Sequence, residues 1–356
     1  MSKKKKILFV VDLLSGRGGM ENVTRQLILQ LNSDPQYSAG LFILNDGGRY
    51  ASSSWREGIV WGESQKITGN HKISRLFHVL QLAFFMLKNR PNQVVVLNTI
   101  PCLIARRAMK ISATSAKLST WMHLPPRDRY RPRYLLRAEH HFAISRDIAR
   151  QFIELGAAPE SIDVVFNPVK RSSAIITRPQ TLKLLYVGRV HFSDQKNLKE
   201  LFDAVSQLNI PWSLDIVGDG EDLAQCQRYV DTLGLQHNIT WHGWQENAWQ
   251  YIENNLQEVS CLVLTSTQEG LPLVLLEAIS RGIYCISSNC VSGPSDIIVS
   301  GVNGCLYEPG NVAELVGKLT AIGSGAHLPA HDVINNSICD FYEDAYMSRF
   351  KQVLEK

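Results

Sequence analysis

Glu269-Gly-Leu-Pro-Leu-Val-Leu-Leu-Glu277 follows the apolar run Val259 to Leu264, and together they read as a β-strand delivering the chain to a helix. Pro272 marks the start, since its fixed φ and missing N–H suit the first helical position. The N–H groups of Gly270, Leu271 and Leu273 then face the strand's C-terminal edge, where orphan donors and the helix dipole favour an anion. Glu269 stands before the helix and Glu277 about a turn and a half inside it. Carboxylates beside an anion site accept from hydroxyls while the backbone holds phosphate. A phosphate with hydroxyls on both sides describes a nucleotide sugar. Taken alone, the same segment also fits a plain buried α/β turn with two solvated glutamates.

The segment belongs to a series of alternating strands and helices that begins at Leu182. Strand Leu182 to Val187 leads into a loop, Gly188 to Gln195, and a helix from Asn197. Strand Ser213 to Val217 is followed by Gly218-Asp-Gly220 and a helix to Leu233, and strand Ile239 to His242 turns at Gly243-Trp244. Such alternation builds a parallel sheet with ligands at the strands' C-terminal edge. Arg189 and Lys196, with Gln195 adjacent, bracket the first loop, where two cations can neutralise a diphosphate leaving group. No Asp-x-Asp occurs in the chain, which argues against a carboxylate-held metal and leaves that work to the two cations. No metal and no cofactor are expected.

The first half has the same grammar. Strand Lys6 to Leu14 meets Ser15-Gly-Arg-Gly18-Gly19-Met-Glu21 and a helix through Leu31. A dinucleotide fingerprint is not satisfied, because Glu21 occupies its third small position and Asn45-Asp46 follows the next strand too late. NAD is therefore not expected, although Gly18 and Gly19 still let backbone approach a phosphate. Further elements are a helix from Ile73 to Asn89, a strand Gln93 to Asn98, a helix to Ile111 and a strand Lys117 to Met122. His123 follows at that strand's ligand-binding end. Arg127, Arg129, Arg131, Arg133 and Arg137, interleaved with Tyr130 and Tyr134, offer planar guanidinium groups to an anionic acceptor. Strands His141 to Ile144 and Ile162 to Phe166 close the series.

The expected organisation is a first domain over 1–169, a polar linker over 170–181, a second domain over 182–330, and a C-terminal segment over 331–356. That last segment holds one helix, Val333 to Leu354, crossing back to the first domain. Length and composition agree, with 356 residues, 45% apolar and 20% charged, as in an ordinary two-domain globular chain. The charge is uneven. Residues 1–170 carry 25 Lys/Arg against 12 Asp/Glu, a balance of +13, whereas residues 171–356 carry 12 against 21, a balance of −9. Such asymmetry directs an anionic partner to the first half: phosphorylated lipid, membrane surface or nucleic acid. No nucleic-acid fold motif accompanies it. The seven scattered cysteines lack Cys-x-x-Cys spacing and read as reduced thiols. No secretory signal pattern is visible, and Leu76 to Leu87 is too short to span a bilayer. The expected location is cytoplasmic.

Gly18-Gly19-x-Glu21, His123, Gly188-Arg189, Lys196-Asn197, Gly218-Asp-Gly220 and Glu269-x7-Glu277 together resemble the retaining, metal-independent glycosyltransferases of GT-B fold. Trp244-Gln, Thr265-Ser266, Glu269-Gly-Leu-Pro, Ile286-Ser-Ser and Ser292-Gly-Pro294 look more closely like the bacterial lipopolysaccharide-core 1,6-galactosyltransferases. The resemblance covers essentially the whole chain. It implies two Rossmann-like α/β domains whose parallel sheets face a central cleft, and transfer of galactose from UDP-galactose to a core sugar. It further implies that Arg189 and Lys196 bind the diphosphate and Glu277 the ribose. Glu269, with the backbone of Gly270, Leu271, Pro272 and Leu273, would hold the hexose. Gly18 and Gly19 would approach the phosphates, Gly243 and Trp244 would edge the uracil, and His123 would lie near the reacting sugar. Leu271 departs from the aromatic common in the family. The partners implied are a UDP-sugar, a lipopolysaccharide core or lipid-linked acceptor, and the inner-membrane surface, met peripherally from the cytoplasm, with no nucleic acid. A UDP-glucose or UDP-N-acetylglucosamine transferase of O-antigen or capsule assembly remains open, as does a non-catalytic anion binder.

Overall fold

The computed structural model describes residues 4–14, 19–48 and 54–356, apart from the side chain of residue 54. Two compact units emerge: Met1–Asn167 with Met347–Lys356, and Pro168–Tyr346.

The first unit contains strands β1 (Lys5–Asp12), β2 (Tyr37–Asn45), β3 (Val60–Gln65), β4 (Gln93–Val96), β5 (Lys117–Met122), β6 (His140–Ala143) and β7 (Ile162–Val164). Its α-helices are α1 (Gly19–Ser33), α2 (His71–Asn89), α3 (Thr99–Ile111) and α4 (Arg146–Leu155). Every strand pairing is parallel, in the order β3-β2-β1-β4-β5-β6-β7. Ile7 to Val11 are all buried, as expected of a central strand covered by helices on both faces. The strand order reverses direction between β1 and β4, which opens a crevice at their C-terminal ends.

The second unit repeats the plan. Its elements run β8 (Leu182–Val187), α5 (Leu198–Val205), β9 (Trp212–Val217), α6 (Leu223–Thr232), β10 (Ile239–Gly243), α7 (Ala248–Asn255) and β11 (Cys261–Leu264). They continue with α8 (Leu273–Ile279), β12 (Tyr284–Ser288), α9 (Pro294–Ile297), β13 (Gly304–Tyr307), α10 (Val312–Gly323) and α11 (His331–Asn336). The sheet is again wholly parallel, ordered β10-β9-β8-β11-β12-β13. Here the reversal falls between β8 and β11. Leu184 pairs with Cys261 and Leu185 with Leu262, so both strands end at one level and their following loops share one crevice.

Three expectations change. The stretch 170–181 packs into the second unit: Ile176 is buried, Thr177 bridges Glu258, and Arg178 Nη2 donates to the Pro329 carbonyl at 2.7 Å. Its polar composition concealed a strap held by backbone pairing. The single helix Val333 to Leu354 is instead α11, a 3₁₀ turn at Cys339–Phe341, and α12 (Glu343–Glu355). The break forms because the Tyr342 hydroxyl bonds the Asn335 carbonyl at 2.8 Å and Val169 N–H bonds the Phe341 carbonyl at 2.8 Å. Residues 331–346 thus belong to the second unit, and α12 from Met347 onward packs in the first. There Lys351 pairs with Asp34, and Phe350 meets Trp121 and Phe142 edge-on.

Candidate active site

The loops after β8 and β11 are tied together by backbone and side chain. Thr267 N–H donates to the Gln195 carbonyl at 2.9 Å, Gln195 Nε2 to the Gln268 carbonyl at 3.1 Å, and Thr265 Oγ1 to the Lys196 carbonyl at 3.0 Å. These bonds set Lys196 opposite Glu269. Lys196 Nζ lies 2.6 Å from Glu269 Oε1, and Ser266 Oγ donates to the same oxygen at 2.6 Å. Lys196 and Glu269 side chains are only 14% and 8% exposed. An ammonium carries three donors, so Lys196 can hold Glu269 and still face an anionic oxygen.

Glu269 is steadied from behind. Its N–H bonds the Val291 carbonyl at 3.0 Å, while Ser292 Oγ bonds the Gly270 carbonyl at 3.0 Å and Ser288 Oγ the Ser266 carbonyl at 2.5 Å. Pro272 sits one residue earlier than the sequence suggests: it caps α8, whose first residue is Leu273. Boundary shifts of one residue are common at helix ends. Leu271 is buried.

Arg189 lies at the mouth of the same loop, exposed, with Nη2 3.3 Å from Gln195 Oε1. The buried Tyr186 hydroxyl fixes its carbonyl at 2.6 Å. Close backbone approach explains Gly218-Asp-Gly220: a Cβ on Gly218 would stand 1.9 Å from the Gly188 oxygen, and Gly218 has φ +145°. Glu277 on α8 accepts from Trp249 Nε1 at 2.8 Å. Burial raises its pKa, opposed by that bond and by the charge of Arg281. The Arg281 guanidinium stacks 4.6 Å from the Trp249 ring and pairs with Glu253 at 2.7 Å. Gly243 ends β10 with φ +65°, and Trp244 beside it is 51% exposed.

In the first unit Gly19 opens α1, whereas Gly18 lies outside the described residues. His123 follows β5, buried, with its ring 4.3 Å from that of Trp121. Its Nε2 has no hydrogen-bond partner among the described residues. Burial pushes its pKa down to about 3, so the imidazole is neutral at physiological pH. The arginine cluster divides. Arg127 is exposed but paired with Glu154 at 2.6 Å, and Arg129 buries an Nε that lacks a hydrogen-bond partner among the described residues. Arg131 bonds the Tyr134 hydroxyl at 2.7 Å and lies over Tyr130, while Arg133 is exposed.

Sequence reasoning assigned no role to Ser266, Trp249 or Arg281, nor to the pair Asp12 and Asn98. Asp12 ends β1 and Asn98 caps α3 after β4, so they face each other across the first unit's switch point. Asn98 Nδ2 donates to Asp12 Oδ2 at 2.9 Å. Burial raises the Asp12 pKa to about 6 against the pull of that bond, with the Asp46 charge adding to the rise. A lone acid closing an apolar strand was the available signal.

Comparison with known proteins agrees with this geometry. A family model described as "Glycosyl transferases group 1" matches residues 171–337. The chain is 36% identical over 352 residues to the lipopolysaccharide 1,6-galactosyltransferase of Escherichia coli K12, covering 98% of each chain. It is 35% identical to the enzyme of that name from Salmonella typhimurium LT2, with the same coverage. The chain belongs to the lipopolysaccharide 1,6-galactosyltransferase family of group 1 glycosyl transferases. It superposes on the apo lipopolysaccharide outer core galactosyltransferase WaaB with a TM-score of 0.92 at 35% identity, covering 98% of this chain and 99% of that one. Anabaena HepE in complex with UDP and glucose shares the fold, with a TM-score of 0.78 at 17% identity over 99% of each chain. This group 1 glycosyltransferase is thus a two-sheet GT-B enzyme. Its Glu269-x7-Glu277 segment stands at the switch point of the second sheet.

Proposed function

We propose that the enzyme transfers galactose from UDP-galactose to a sugar of the lipopolysaccharide core, retaining the anomeric configuration and using no metal ion. The observation that carries this reading is the Lys196–Glu269–Ser266 cluster, held at 2.6 Å on both contacts at the second unit's switch point. Arg189 and Lys196 take the diphosphate, Glu277 the ribose hydroxyls, and Gly243 with Trp244 the uracil. Glu269, with the N–H groups of Gly270, Leu271 and Leu273 beside Pro272, holds the hexose. Because Glu269 and the diphosphate share Lys196, sugar and leaving group are positioned through one ammonium. Gly18 and Gly19 are assigned to the phosphates, Gly18 lying outside the described residues. His123 is assigned to the hexose, where its unpartnered Nε2 gains a hydroxyl, and Arg127, Arg129, Arg131 and Arg133 to the anionic acceptor.

In the reaction the bond from the anomeric carbon to the phosphate oxygen breaks as the acceptor oxygen bonds that carbon from the same face. The acceptor proton passes to the departing diphosphate, whose charge Arg189 and Lys196 stabilise. Glu269 is held on hydroxyls by this reading, so it is not the nucleophile of a double displacement. The enzyme works at the cytoplasmic face of the inner membrane, bound peripherally.

The test is UDP release from a panel of UDP-sugars, with and without truncated lipopolysaccharide core, in EDTA. The expected result is release from UDP-galactose only when core is present, with an α-linked product by NMR. Loss of turnover in EDTA refutes metal independence, and a β-linked product refutes retention. Release from UDP-glucose or UDP-N-acetylglucosamine instead overturns the donor.

A further inference from the structure

Helix α2 buries Val79, Leu82, Ala83 and Met86 within its own unit and turns Ile73, Leu76, Leu80, Phe84 and Leu87 outward. Phe84 is 72% exposed, more than any other large apolar side chain among the described residues. At about 100° per residue these five directions fall within an arc of about 80°. They form one apolar stripe along the length of a 19-residue helix. The helix contains no Asp or Glu. By the same helical geometry Lys72 and Lys88 fall on opposite flanks of the stripe, about 40° beyond its edges. Arg90 caps the helix end.

An apolar stripe of this extent, rimmed by charge, marks an interaction surface. The charged side chains on its flanks, Lys72 and Lys88, are both cations, and they belong to the half of the chain with 25 Lys/Arg against 12 Asp/Glu. Large apolar side chains on one helical face with Lys at its margins suit the boundary between headgroups and acyl chains.

We propose that this face of α2 docks the enzyme on an anionic phospholipid bilayer. The stripe enters the headgroup boundary, and Lys72 and Lys88 meet lipid phosphates. The helix lies in the plane of the surface and does not cross it: among the described residues no helix is long and apolar enough to span a membrane. The inference rests on the reading that the acceptor is lipid-anchored, and it names the surface that brings the enzyme to it.

The test is co-sedimentation with vesicles of phosphatidylethanolamine and phosphatidylglycerol, compared with phosphatidylcholine alone. Wild-type enzyme is expected to bind the anionic vesicles and to be released as salt rises. Leu80→Glu/Phe84→Glu is expected to lower partitioning at least tenfold, and Lys72→Gln/Lys88→Gln by about fivefold for each cation. Both variants should keep wild-type turnover on soluble, delipidated core, which shows that they fold. The proposal is overturned if wild-type enzyme stays in the supernatant, or if Leu80→Glu/Phe84→Glu binds as wild type does. It is also overturned if sedimentation velocity shows a dimer that this variant dissociates while vesicles recruit nothing, since a second copy then covers the stripe. Transfer to soluble core without vesicle binding sinks this inference and leaves the enzymatic reading intact. Vesicle binding without transfer does the reverse.

Discussion

Removing Lys196 should destabilise the second unit as well as stop the reaction, and the two effects separate in a double-mutant cycle. In Lys196→Met the Glu269 carboxylate, 8% exposed, keeps the Ser266 hydroxyl but loses its cation. Breaking a buried pair from one side costs roughly 3–5 kcal/mol because a charge is left uncompensated. Lys196 retains some water contact at 14% exposure, so the lower end, about 3 kcal/mol, is the appropriate figure. For a unit of this size that lowers the melting temperature by about 6–12 °C. Glu269→Gln should behave similarly, leaving the ammonium buried.

The double variant Lys196→Met/Glu269→Gln removes both charges, and replacing a whole buried pair is often close to neutral. Its melting point should return to within a few degrees of wild type, with a coupling of about 2 kcal/mol or more. Turnover should not return. If Lys196 stabilises the departing diphosphate, Lys196→Met and the double variant both lose about 100-fold or more in kcat. Differential scanning fluorimetry alongside UDP release reads both quantities. A Lys196→Met protein that melts as wild type does refutes the buried-pair energetics. A double variant that regains turnover shows the pair to be scaffolding.

Trp249→Phe deletes the donor to Glu277, so UDP affinity by calorimetry should fall about fivefold to tenfold; unchanged affinity would remove Glu277 from the nucleotide site. Gly218→Ala places a Cβ 1.9 Å from the Gly188 oxygen at φ +145°. It should abolish UDP binding by displacing the Arg189 loop, and full binding would refute that coupling. The folded-state pKa of Asp12, about 6, lies above its ordinary 3.8, so this group's contribution to stability is lost as pH rises from about 4 through 6. Asp12→Asn should therefore melt with wild type at pH 4 and above it at pH 8; an equal gap at both refutes the burial argument.

What the sequence made legible follows from burial. Lys117–Met122 and Leu182–Val187 are strands at the bounds read from the chain, because doubly covered parallel strands appear as unbroken apolar runs. β3, Val-Trp-Gly-Glu-Ser-Gln, escaped notice: an edge strand, half exposed, carries little apolar signal. β12 is fully buried yet contains two serines that bond carbonyls of Ser266 and Ser288. Its polarity serves the neighbouring loop and disguises the strand. The motif residues Lys196 and Glu269 stood out singly. Their contact across 73 positions did not, because sheet order decides it. Trp249, 28 residues from Glu277, left no local trace.

The two sheets obey one topological rule and end in opposite electrostatic states. At the switch point of the second unit Lys196 neutralises Glu269, and Ser266, Gln195 and Thr265 complete the bonding. That site is finished before any ligand arrives, so the uncharged parts of a donor find fixed partners. At the switch point of the first unit Asp12 has an amide but no ion-pair partner among the described residues, and beyond β5 His123 Nε2 and Arg129 Nε are buried without hydrogen-bond partners among the described residues. A buried polar atom left unsatisfied costs about 1–3 kcal/mol, and an incoming hydroxyl or anion recovers that cost. The first unit therefore holds binding energy in reserve for polar ligands. If His123 meets a substrate hydroxyl, an analogue lacking that hydroxyl should lose about tenfold or more in kcat/KM, whereas His123→Phe, with no orphan nitrogen to satisfy, should barely discriminate between the analogue and the parent. Equal discrimination by both enzymes would show that the orphan nitrogen contributes nothing to recognition.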